Sequence, residues 1–244
     1  MNPFRYHAIV EADHDIQNPL SPEKLQRLIG CLRPTAGERV LDVGCGKGYL
    51  LAAIAAQADV DAVGLDLIPA FAEAAQRRLA QTRLLGRAEV IIGPALDYPL
   101  GLGDFQVALC IGATFALGGL DGTLERLAAS VGPAGRIAVG EPFLRPGAPA
   151  AVRERWPEYD RGLAEIVAAI AAHGLTLTGL IASSQDDWDH YESQHWRAAA
   201  AWLRAYPDDP DAAGLAERIA DTRRQYLAEE REAFGWAVFV AEKP

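Results

Sequence analysis

The sequence predicts an α/β protein built on a doubly wound, mostly parallel seven-stranded sheet with helical cap insertions. Three observations predict it. Apolar runs of strand length alternate with stretches of helical periodicity along the chain. A strand, a glycine-rich turn and a helix follow one another directly from Val40 to Ile54. Two segments, 142–159 and 183–234, are longer than a minimal alternation requires.

In chain order, residues 1–20 lack clear periodicity. Phe4, Tyr6, His7 and His14 stand there among acids and prolines, which predicts an arm lying over something else. Ser21-Pro22-Glu23 opens a helix with a hydroxyl cap, a proline at the first helical position and an acid in the first turn. Leu25, Leu28, Ile29 and Leu32 form its apolar stripe, and Pro34 helps end it. Val40–Val43 is the first strand and Val60–Asp66 the second. Pro69 opens a helix carrying Phe71, Ala75 and Leu79, ended near Gly86. Ala88–Ile92 is the third strand. Asp104–Ile111 is the fourth, apolar enough to be buried on both faces.

A helix over 124–131, a turn at 132–135 and a fifth strand over 136–140 follow, with Glu141 at the strand's end. Asp160 caps a helix with Leu163, Ile166, Val167 and Ile170 on one face, and Leu175–Ile181 is the sixth strand. The segment 183–234 predicts two helices. The first carries Trp188, Tyr191, His195 and Trp202. The second is capped by Asp209, has Pro210 at its first position, and carries Leu215, Ile219 and Tyr226. Gly235–Ala241 is the last strand. The expected division is an N-terminal arm and helix (1–36), an α/β core (37–182) with an insertion at 142–159, a helical cap (183–234) and a last core strand (235–244). Both insertions leave from carboxyl ends of parallel strands, the edge where open α/β sheets bind ligands.

The 244 residues are enough for one domain with insertions, and a chain of this length buries roughly 70–75% of its unfolded surface. Cys31, Cys45 and Cys110 are odd in number and lack metal-ligand spacing, so no metal site is expected and a reducing, cytoplasmic compartment is. The acidic N-terminal stretch (Glu11, Asp13, Asp15) does not have the apolar run of a signal peptide, and no stretch approaches the ~20 apolar residues of a membrane span. A net charge of −10 argues against a nucleic-acid partner. A monomer or homodimer acting on a small molecule is expected.

The turn Asp42-Val43-Gly44-Cys45-Gly46-Lys47-Gly48 sets the ligand chemistry. Its glycines are spaced G-x-G-x-G, and Tyr49 stands where a dinucleotide fingerprint wants its third glycine. The carboxylate of Asp42 repels a pyrophosphate but suits an ammonium or sulfonium group. Asp66, ending the second strand, can accept two hydrogen bonds from a ribose diol. Together these residues resemble the class I S-adenosylmethionine (SAM)-dependent methyltransferases, with their D/E-x-G-x-G-x-G loop and acid after the second strand. The resemblance covers 37–140 well and 160–181 plus 235–241 loosely. It implies an antiparallel seventh strand, SAM as cofactor and S-adenosylhomocysteine (SAH) as product.

It also implies a set of cofactor contacts: Asp42, Gly44, Cys45, Gly46, Asp66, Leu67, Ala95, Leu96, Asp97, Cys110 and Ile111. In that set Asp97 receives the adenine amino group, Ala95 and Leu96 pack on its ring, and the segment Cys110–Thr114 reaches the cofactor. For catalysis the expected residues are Glu141, His7 and Tyr191, with Glu141 first because topology fixes a strand end. Tyr6, His14, Trp188 and His190 are expected at the acceptor. The [D/N]-P-P-[Y/F] sequence of methyltransferases that modify bases is absent after the fourth strand. Methyl transfer to oxygen or nitrogen of a small molecule under a helical lid is the leading reading. A SAM- or SAH-binding protein without transferase activity and a nicotinamide-dependent oxidoreductase are the alternatives.

Overall fold

The computed structural model describes all 244 residues. One seven-stranded sheet forms its centre: β1 (Arg39–Val43), β2 (Asp61–Asp66), β3 (Arg87–Ile92), β4 (Phe105–Ile111), β5 (Val131–Leu144), β6 (Thr176–Ala182) and β7 (Phe234–Glu242). Their order across the sheet is β3-β2-β1-β4-β5-β7-β6. β1 through β5 pair in parallel, and β7 runs antiparallel to both β5 and β6. The expected doubly wound sheet and its antiparallel last strand are therefore present. Strand order reverses between β1 and β4. That is the point at which such sheets open a crevice at their carboxyl ends.

Side chains alternate across every strand, and helices cover both faces. The β4 residues Val107, Leu109 and Ile111 join one apolar cluster with α2 (Pro22–Leu32), α3 (Tyr49–Gln57) and α4 (Pro69–Gln81). Ala108 and Cys110 join the other, with α5 (Gly119–Ser130) and α7 (Leu163–Ala172). α6 (Ala150–Arg155) lies in the first insertion. α8 (Gln185–Ala205), α9 (Ala212–Gln225) and a π turn at Tyr226–Glu230, followed by the short α10 (Arg231–Ala233), form the second.

Four local readings change. Residues 3–10 of the expected arm are a helix, α1, capped by the Asn2 side chain with Pro3 at its first position. β5 begins at Val131, so residues 132–135 lie inside the strand. It also continues to Leu144, because β7 keeps pairing it as far as Phe234. α7 is capped at Gly162, whose amide is met by Glu165 at 2.7 Å, and not at Asp160. α9 starts after Asp211 with Pro210 in the preceding turn. Asp209 instead accepts from the Asp211 amide and pairs with Arg5.

α1 packs on the α8–α9 hairpin. Tyr6, Ile9 and Val10 form a small separate core with Ala199, Leu215 and Ile219. Arg5 pairs with Asp209 at 2.6 Å and with Asp211. Two carboxylates in the first turns of α8 are paired within the protein. Asp187 and Ser184 cap each other reciprocally, and Asp189 takes Tyr226 at 2.6 Å and the Arg231 guanidinium at 2.8 Å. No helix of the chain is long and apolar enough to cross a membrane.

Candidate functional site

The turn after β1 places three glycines with left-handed backbone, at φ of 71°, 54° and 71° for Gly44, Gly46 and Gly48. At all three this conformation coincides with close approach, Ala75 being the neighbour of Gly48. A Cβ on Gly44 would collide with that of Ala113, and one on Gly46 with the Gln17 side chain. Any larger residue is strained there and also blocked. The turn is fixed from β2: the amides of Gly44 and Cys45 donate to Leu65 O, and that of Gly46 donates to Asp66 Oδ2 at 2.8 Å. The other oxygen of Asp66 accepts from Ile68 N at 2.9 Å. Burial raises the Asp66 carboxyl above its ordinary value, and the two amide bonds pull it back part of the way.

Two adjoining cavities open at this edge and share Gln17, Gly44, Gly46 and Ile111 in their walls. The larger, about 520 Å³, has the glycine turn, Asp66, Leu67, Ala95, Leu96 and Ile111 on the sheet side. On the opposite side stand Pro3, Phe4, His7 and Glu11 of α1, Gln17 of the following loop, and Tyr191 of α8. Its mouth is apolar: Phe4, Leu67, Leu96 and Phe115 are all exposed and all line it. The smaller, about 40 Å³, is bounded by Asp42, Asn18, Cys45 and Lys47 among others. Asp42 is buried there, and its carboxyl is pushed up to about 7 by burial and then by Asp66. Asn18 presents a buried side-chain oxygen without a partner. An acid and an orphan carbonyl oxygen side by side suit a ligand ammonium, a donor-only group. The residues present thus fit an amino-acid moiety in the small cavity and a nucleoside in the large one.

The N-terminal segment is tied to the glycine turn. Lys47 Nζ donates to the carbonyls of Glu11, Ala12 and His14 at 2.6–2.9 Å. Gln17 Oε1 accepts from Lys47 N at 2.6 Å, and its amide donates to Glu11 Oε2 at 2.5 Å. Glu11 Oε1 meets His7 Nδ1 at 3.0 Å. Burial alone would raise the Glu11 carboxyl, but the bonds from His7 and Gln17 hold it below the ordinary range. A carboxylate thus orients an imidazole on the cavity wall, an arrangement that can accept a proton from a bound molecule.

The expected residues divide. Asp42, Gly44, Cys45, Gly46, Asp66, Leu67, Ala95, Leu96 and Ile111 all line one of the two cavities, as do His7 and Tyr191. The others do not, each for a geometric reason. Cys110 alternates with Ile111 and so points into the α5–α7 core. Asp97 ends a 3₁₀ turn (Ala95–Asp97) and is exposed to solvent. Glu141 is mid-strand because β5 runs on to Leu144. It shares its face with Val139 and Phe143 and opens onto a different cavity. Tyr6 lies on the opposite face of α1 from Phe4, His7 and Glu11, with Arg218 over its ring at 3.6 Å.

His14 is buried behind Tyr191. It donates from Nε2 to Tyr191 O at 2.9 Å, and burial depresses it to about 4. Trp188 is core, near Tyr226, and His190 faces the outer side of α8. Burial raises the Tyr191 phenol well above its ordinary value, so at neutral pH it offers a hydroxyl proton and is no base. Phe4, Glu11, Gln17, Asn18 and Phe115 went unnoticed as site residues. For Glu11 a signal existed, since His7 and Glu11 are spaced i,i+4 and share a helix face.

A model of the methyltransferase domain matches residues 40–135. A SAM-dependent methyltransferase from Geobacter sulfurreducens, solved in complex with SAH, is 33% identical with a TM-score of 0.90, the match covering 98% of each chain. The uncharacterised protein YjhP of Escherichia coli K12 is 32% identical over 240 residues, 96% of each chain. A 27-O-demethylrifamycin SV methyltransferase of Amycolatopsis mediterranei is 26% identical over 224 residues, 89% of this chain and 82% of the relative.

Proposed function

The chain belongs to the class I SAM-dependent methyltransferases, and we propose that it methylates an oxygen or nitrogen of a small, largely apolar acceptor held under α1 and α8. With that membership the nicotinamide alternative falls away. One observation carries the finer reading. The large cavity has an apolar mouth and a single polar cluster, His7–Glu11–Gln17 with the Tyr191 hydroxyl, on the wall facing the glycine turn. The name of the Amycolatopsis relative specifies an oxygen acceptor, which supports the O-methyl form.

In this reading Asp66 receives the ribose hydroxyls, and Leu67, Ala95 and Leu96 pack against the adenine. Asp42 and Asn18 receive the ammonium of the methionine part. Bound SAM supplies an activated methyl group on sulfur. His7, oriented by Glu11, takes the acceptor's proton, and Tyr191 positions the acceptor by hydrogen bonding. Phe4 and Phe115 close the apolar mouth and exclude water. Incubation with SAM and a panel of hydrophobic phenols, alcohols and amines, followed by mass spectrometry, tests the reading. The expected result is SAH formation together with a methylated phenol, alcohol or amine. Tight SAH binding without turnover across the panel would favour a non-catalytic binding protein.

Asp42 adds a pH signature. Its folded-state value, about 7, lies above the ordinary carboxylate value, so the free folded protein holds a proton that the unfolded chain releases. The contribution of Asp42 to stability therefore declines as pH rises from the ordinary carboxylate range to about 7. A ligand ammonium favours the ionised carboxylate. SAH affinity is then expected to rise about tenfold between roughly pH 6 and 8, by calorimetry, and to lose that slope in Asp42→Asn. A flat profile in the wild type would remove Asp42 from the ammonium's contacts.

A further inference from the structure

Glu141 opens onto a cavity of about 270 Å³ that shares no wall residue with the two already described. It lies between the N-terminus of α5, residues Glu141 and Pro142 of β5, and the turn 157–161. A water molecule occupies ~30 Å³ in the liquid, so there is room for a small organic molecule.

Glu141 is buried, with 4% of the residue exposed. Oε2 accepts from Thr114 Oγ1 at 2.8 Å. Oε1 has no protein partner, and Glu141 lines the cavity. A carboxyl group largely removed from bulk water gains from any donor that reaches its free oxygen. The surrounding groups say what kind of donor. Asp121, Glu158 and Asp160 also line the cavity. Its single cation, Arg161, is held by both oxygens of Asp121, and His173 approaches the same carboxylate from outside. Asp121 also supplies the negative charge that the first turn of α5 favours. Tyr159, the polar ring in the wall, keeps its proton, because burial and then Glu141 raise it to about 12. Four carboxyl groups face one guanidinium that is already paired, so the local field favours a cation.

We propose that this cavity binds a small ammonium compound, apart from the methyl-transfer site, with Glu141 as its anionic anchor. The N–H of the ammonium donates to Glu141 Oε1, and Thr114 keeps the other oxygen in place. Thr114 begins the 3₁₀ turn Thr114–Leu117, whose Phe115 and Ala116 line the large cavity from the other side. The two sites therefore share a thin wall.

Calorimetry on the full chain saturated with SAH, at pH 7, tests this with methylamine, propylamine, ethanolamine and 1,4-diaminobutane as probes. At least one is expected to bind with a sub-millimolar Kd, undisturbed by SAH. Burial holds Glu141 at about 7 in the free protein, so binding is expected to release a fraction of a proton, read from the dependence of the heat on buffer. Glu141→Gln is expected to weaken binding at least about tenfold and to abolish the proton release while SAH still binds. The proposal is overturned if no amine binds, if SAH displaces the amine, or if Glu141→Gln binds it unchanged. If Glu141→Gln also loses SAH, the wild-type proton release decides alone, and its absence overturns the proposal.

Discussion

Asp66→Ala is expected to lose SAH binding by about two orders of magnitude or more. Two contributions add. The ribose diol loses a charged acceptor, and each hydrogen bond to a charged group is worth ~1.5–3 kcal/mol. The glycine turn also loses its tether, because Asp66 accepts from Gly46 N at 2.8 Å and Ile68 N at 2.9 Å. A buried amide left without a partner costs ~1–3 kcal/mol. At ~2–4 °C per kcal/mol for a domain of this size, the melting temperature is expected to fall by several degrees in the absence of any ligand. Asp66→Asn separates the contributions. It keeps one acceptor oxygen for one amide, so it should recover part of the stability while SAH binding stays weak. An Asp66→Ala protein that is folded and binds SAH within threefold of wild type would remove Asp66 from the cofactor's contacts.

That residue and the glycine turn were legible in the sequence because their chemistry is local. A strand, a turn that forces positive φ, and an acid at the next strand's end are all written within 25 residues, Asp42 to Asp66. The misplacements share a different origin. Cys110 and Ile111 are neighbours in sequence, yet only one can face the crevice, and which one depends on how the sheet sits under its helices. Glu141 was assigned to a strand end, but the length of β5 is set by its pairing with β7, about 95 residues further on. Helix α1 did carry a signal in Asn2-Pro3, a cap followed by a first-position proline. Without that helix its two faces are hidden, so Tyr6 is expected at the acceptor as His7 is at the reacting atoms, although the two point in different directions. Gln17 over Gly46 and Lys47 under the arm's carbonyls are long-range contacts with no local signature at all.

His7→Gln is expected to lower kcat on the acceptor by ~10²–10⁴-fold while SAH affinity changes little, since a general base contributes about that much and His7 is not among the proposed cofactor contacts. The geometry separates the roles of the pair. His7 Nδ1 is taken by Glu11, which leaves Nε2 as the basic atom for the acceptor's proton. Glu11 is buried, held by Gln17 on its other oxygen, and acts through His7 as a positioning residue. Glu11→Gln keeps the size but donates where the carboxylate accepted, so it should favour the other tautomer or swing the ring. Its kcat loss is expected to be smaller than that of His7→Gln. In the double variant the losses should fall well short of additive, because Glu11 has nothing to orient once the imidazole is gone. The split between kcat and binding gives a readout that a merely structural role would not move: both variants should lose kcat while SAH affinity and melting temperature stay near wild type. Additive losses accompanied by a lower melting temperature would mean that the pair only holds α1 in place, and that catalysis rests on positioning the acceptor alone.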